Sequence, residues 1–116
     1  MSAVKINDYQ VILRPSPKGE SEPAMIVCVG DDNVTAVRVL FTDDRLKRAD
    51  PEMVSEPMGK DSERTVFKVN YPTSLLDTMV DLLRNESPVF FQHYMKDPKD
   101  WCFTTGPEPV GEGEWR

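Results

Sequence analysis

The 116-residue sequence predicts an α+β fold: a mainly antiparallel, curved sheet of about six strands in the order β-β-β-β-α-β-β, with one amphipathic helix over residues 74–86 packed on one face. Three observations predict it. Leu75 to Glu86 is the one stretch that keeps a helical period. Segments on both sides of it are short apolar runs or alternate apolar with polar residues, the period of a strand. Clusters of Pro, Gly, Asn and Asp, which form turns and break regular structure, separate them.

The elements follow in chain order. Residues 9–14 alternate, with Tyr9, Val11 and Leu13 on one face and Gln10, Ile12 and Arg14 on the other, until Pro15 and Pro17 end the strand. Ala24 to Val29 is an unbroken apolar run, expected to be a central strand buried on both faces. Gly30-Asp31-Asp32-Asn33 is a turn, and Val34 to Thr42 is the return strand of an antiparallel hairpin. Asp43 to Glu63 is expected to be a long, mobile connection. Its one ordered feature would be a helical turn near Asp50-Pro51-Glu52-Met53, with Asp50 as cap and Pro51 at the first helical position. Thr65, Phe67, Val69 and Tyr71 alternate against Val66, Lys68 and Asn70, giving a fourth strand.

Pro72 stops that strand, and Thr73 or Ser74 is placed to cap the helix. Leu75, Leu76, Met79, Val80, Leu82 and Leu83 then fall within about 160° of a helical wheel, an apolar stripe that needs a sheet to pack on. Pro88 ends the helix, because the residue before a proline avoids helical geometry. Val89 to Met95 reads as a fifth strand and Trp101 to Thr104 as a sixth, paired as a hairpin across Lys96–Asp100. Residues 1–106 make one domain. Residues 107–116, with Pro107, Pro109, Gly111 and Gly113 among glutamates, read as an extended acidic tail.

The net charge of −6 disfavours duplex nucleic acid and anionic membranes, which attract positive surfaces. No apolar run is long enough to span a bilayer, and residues 1–8 lack the apolar centre of a secretory signal, so the expected compartment is the cytoplasm. Cys28 and Cys102 each lie in an apolar run, outside any Cys-x-x-Cys pair, and are expected to be buried free thiols.

Catalytic and metal-binding signatures are missing from the sequence. His93 is the single histidine and is expected to be structural. The acidic pairs Asp31-Asp32 and Asp43-Asp44 do not follow a calcium-loop spacing and lie at opposite ends of one strand. Neither a metal nor a cofactor is expected. A small carboxylate-dependent enzyme is the remaining catalytic alternative.

Aromatic residues crowd the last hairpin: Phe90, Phe91, Tyr94, Trp101 and Phe103. The candidate binding residues are Phe90, Tyr94 and Trp101, with Arg45, Lys47 and Arg48 as a basic group in the 43–63 connection. In element order, four strands followed by a helix, the chain resembles the single-strand-binding transcriptional coactivators. That resemblance implies single-stranded nucleic acid as a ligand, with bases stacked on exposed aromatic rings. The reading preferred from the residues is a small, acidic, non-enzymatic interaction module. It would engage a protein partner, or a second copy of itself as a homodimer, through an edge strand or an exposed apolar sheet face.

Overall fold

The computed structural model describes residues 2–13, 24–42, 51–93 and 101–105. The strands are β1 (Ser2–Leu13), β2 (Ala24–Gly30), β3 (Thr35–Thr42), β4 (Glu52–Pro57), β5 (Glu63–Pro72), β6 (Phe90–His93) and β7 (Cys102–Thr104). A 3₁₀ turn (Thr73–Leu75) leads into the helix α1 (Leu76–Asn85). The strands form one curled sheet in the order β4-β5-β3-β2-β1-β6-β7. All neighbours are antiparallel except β3 and β5, which run parallel. The α+β class, the hairpin over residues 24–42 and the β6–β7 hairpin agree with the sequence reading.

Strand number and strand order are the first corrections. The strands described number seven rather than about six, because β4 occupies part of the segment expected to be an unstructured connection. Glu52 and Met53, assigned to a helical turn, instead begin β4 opposite Lys68 and Phe67. Pairing with β5 decides this, with Glu52 3.8 Å from the Lys68 Nζ, and from β3 the Nη1 and Nη2 of Arg38 donate to the Glu56 carboxylate at 2.8 Å. The second correction concerns strand order. After β3 the chain first builds β4 on the outside, then returns as β5 between the two. That insertion makes β3 and β5 parallel, where an all-hairpin order would not.

The helix is shorter than expected and starts without a side-chain cap. Neither Thr73 nor Ser74 serves, since Leu75 stands at the cap position and the 3₁₀ turn takes up the first backbone bonds. Met79 is the helix's one buried side chain, Leu76, Val80, Leu82 and Leu83 pack partly on the core, and Leu75 is exposed. The stripe is therefore a narrow seam on the sheet.

Curling closes the core. Ala24, Ile26 and Cys28 of β2, Val37, Val39 and Phe41 of β3, and Phe67 and Val69 of β5 share the inner face. The opposite face of β2, with Met25, Val27 and Val29, is only half-buried, so this strand is not enclosed on both sides as expected. Across the curl, Phe67 meets Phe91, His93 and Trp101 with ring centroids 5.2, 4.5 and 5.0 Å away. Rings at these separations attract edge-to-face and offset, in addition to burying area.

The first strand is longer than the six residues the alternation marked. It runs the full twelve residues from Ser2, but changes phase part-way. Ile6 pairs with Gly30 and Asp8 with Val29, so Asn7 is an extra residue, a β-bulge. Val4 and Ile6 point to the core before the bulge, and Tyr9, Val11 and Leu13 align with Cys28, Ile26 and Ala24 after it. The bulge sits against Gly30, where a Cβ would come within 2.5 Å of Val4 Cγ2. Only glycine fits this approach without displacing Val4.

Candidate functional site: the open edge of β1

The bulge divides β1 between two neighbours. Ser2 to Lys5 pairs with β6 on one side, and Ile6 to Leu13 pairs with β2 on the other. One further bond, from the Ile6 N–H to the Val89 carbonyl at 2.8 Å, closes the β6 side. From Asn7 to Leu13, that side has no partner strand among the described residues. The inner face of this stretch is apolar and accessible: Tyr9 and Val11 are 37% exposed and Leu13 69%. These side chains continue the core row of Cys28, Ile26 and Ala24, yet lie outside the helix's cover. An unpaired row of backbone groups beside exposed apolar side chains can accept another extended chain.

The sheet's other two edges are guarded. The β4 edge is framed by Pro51 and Pro57 and carries Glu52 and Glu56, and β7 is three residues long. Prolines, charges and shortness each discourage strand addition. Residues 7–13 contain no proline and a single charge, Asp8.

Two concavities lined by described residues offer alternatives to this edge. A cleft of about 200 Å³ between α1 and β7 is lined by Tyr71, Leu75, Met79, Leu82 and Phe103, with Thr78 and Cys102 at its polar points. Sites for small ligands generally occupy about 300–1,000 Å³, so this cleft is a packing gap by size. A hollow of about 330 Å³ beside Thr78, Asp81, Leu82, Asn85 and Glu86 lies wide open to solvent. Asp81 and Glu86 are exposed there.

Titratable groups near the core show structural roles. Burial lowers the His93 pKa, and its Nδ1 is buried without a hydrogen-bond partner among the described residues. Burial pushes the Cys28 thiol up to about 12 and raises the Tyr71 hydroxyl. Asp32 organises the turn after β2. Partial burial pushes its carboxyl up, but bonds from Thr35 Oγ1 at 2.6 Å and from the N–H groups of Val34 and Thr35 outweigh this and hold it below its usual value. That carboxylate is committed to its own loop. Among the described residues no cluster of three His, Cys, Asp or Glu could hold a metal ion. No helix among them is long and apolar enough to cross a membrane.

No family model matches the chain, nor does any characterised protein or solved structure compared with it. Function therefore rests on the geometry.

Of the binding residues expected from sequence, Phe90 and Trp101 lie among the described residues. Trp101 is half-buried and packs its ring on Phe67 and Phe91 inside the core. Phe90 is half-buried on the other face of β6, since its neighbour Phe91 points to the core. Tyr94, Arg45, Lys47 and Arg48 lie outside the described residues, as does the tail of residues 107–116. The open edge itself escaped the sequence reading. The alternation of Tyr9, Val11 and Leu13 was visible, but nothing local shows which side of a strand lacks a partner.

Proposed function

We propose that the protein is a binding module for protein partners, and that residues 7–13 of β1 receive an extended segment of the partner as an added strand. One observation carries this reading: the Asn7–Leu13 edge is long and apolar and has no partner strand among the described residues, whereas β4 and β7 carry protective features. Main-chain hydrogen bonds supply the affinity in such pairing, and alternate side chains supply the selectivity. Tyr9, Val11 and Leu13 present three consecutive apolar contacts on one face, so the favoured segment carries apolar residues at every second position.

The test is selection from a random-heptapeptide display library on the immobilised protein. Peptides with apolar residues at alternate positions are expected, and Val11→Lys should abolish their binding. Back-face substitutions such as Arg38→Gln should leave it intact. Failure to enrich any peptide, or binding indifferent to Val11→Lys, overturns the reading.

A further inference from the structure

Resting on that reading of β1, we infer that the strand added at this edge is the same edge of a second copy, antiparallel and related by a two-fold axis through Val11. In a two-fold interface each residue meets its counterpart reciprocally, so the edge must complement itself. Centring the pair on Val11 sets Val11 opposite Val11 and Tyr9 opposite Leu13, so all three exposed apolar side chains meet apolar partners. Gln10 then faces Ile12. Shifting the centre to Gln10 sets Asp8 opposite Ile12 and Leu13 opposite Asn7, which leaves the charge and the most exposed leucine mismatched. Apolar cross-strand pairs stabilise an antiparallel pair, so the Val11 register wins.

The chain's charge predicts the salt response. Two copies at −6 each repel, and added salt screens that repulsion, so the dimer should tighten as ionic strength rises.

Light scattering coupled to size-exclusion chromatography tests this on the full chain across concentration and salt. A mass twice 13.2 kDa is expected at high concentration, with the dimer fraction growing with salt. Val11→Lys should return the protein to a monomer, and circular dichroism checks that it stays folded. A second measurement is independent of that variant. In a Cys102→Ser background, Val11→Cys should oxidise to a covalent dimer, because opposed residues of an antiparallel pair lie within disulfide reach. Val34→Cys, also at an exposed position, should not.

A monomer at every soluble concentration overturns the self-pairing. So does a dimer that survives Val11→Lys and does not cross-link through Val11→Cys. If the monomer still binds display-selected peptides through Val11, the self-pairing falls alone and the edge keeps its role. If that binding is absent too, both readings fall.

Discussion

Phe67 on β5 and Phe91 on β6 meet at a tilt of 53° with centroids 5.2 Å apart, although three strands separate β5 from β6 in the sheet. The contact exists only because the sheet curls, and it ties the two ends of the curl together. Phe91 is fully buried, and Phe91→Ala should cost about 3–5 kcal/mol of stability, as should Phe67→Ala. The double variant should lose less than the two single losses combined, by about 0.5–1.5 kcal/mol for the direct ring contact. Urea denaturation of the four proteins measures this. Strict additivity would mean that the rings are buried separately.

His93 lies against the same pair of rings, 4.5 Å from Phe67 and 6.0 Å from Phe91. Burial lowers its pKa, so the unfolded chain binds the proton more readily than the folded one. The sign follows from linkage: stability is full above the unfolded value near 6.5 and falls as pH drops through it, levelling off below the folded value. Urea midpoints should therefore decrease between about pH 7.5 and pH 5. His93→Phe should flatten that slope, and an unchanged slope would place the titration elsewhere.

Asp32 contributes in a lower pH window. Its carboxyl is held below the usual value in the folded state by the bonds from Thr35 and Val34. That stabilisation is present above the unfolded pKa and is lost as pH falls through the folded one. Asp32→Ala should cost about 1–2 kcal/mol at neutral pH, since it removes an acceptor that organises the β2–β3 turn. The Thr35→Val variant, which keeps the backbone bonds, should lose less. Equal losses would mean that the side-chain bond alone matters.

The turn and the hairpin it joins were legible because every signal there is local. Gly30, Asp32 and Asn33 are turn residues, and the flanking runs are apolar. Strand β4 was not legible, because Glu52–Pro57 has prolines about it and two acids, with only Met53 and Val54 as apolar residues. Its pairing depends on Arg38 and Lys68, which are distant in sequence. The same holds for the candidate site. Aromatic crowding drew attention to Trp101, but Phe67, remote in the chain, draws that ring into the core. An edge is a property of the whole sheet, and no local pattern encodes it.

The two thiols should differ sharply in reactivity. Cys28 is fully buried and its pKa is pushed up to about 12, so almost no thiolate forms at neutral pH. Cys102 is half-buried on β7. A disulfide reagent should modify one thiol in the folded protein and the second only on unfolding. Because the Cys28 pKa is raised, the stabilisation it carries is present below the unfolded value of about 9 and declines as pH rises toward 12. Rapid modification of both thiols at neutral pH would show that the inner face of β2 opens.

The bulge at Asn7 supports the sharpest expectation. Val4 and Ile6 reach the core on even positions, and Tyr9, Val11 and Leu13 align with the core row on odd ones. A strand without interruption cannot satisfy both, because its side chains alternate strictly. Asn7 supplies the extra residue, and the loss of alternation is why residues 2–8 did not read as strand. Deleting Asn7 leaves two outcomes. Either Val4 and Ile6 turn out to solvent and the β6 pairing slips, or the edge row rotates to the back and presents Gln10 and Ile12 in its place. Val4 is buried against Gly30, so the first outcome opens a core void and the second removes the proposed binding row. Asn7→Ala keeps the residue count and should leave stability within about 0.5 kcal/mol, because the extra position carries the effect. The deletion should lower the urea midpoint well beyond that or, if it folds, abolish binding at β1. A deletion variant that matches the parent in both stability and binding would show that the two halves of β1 do not depend on the bulge for their phase.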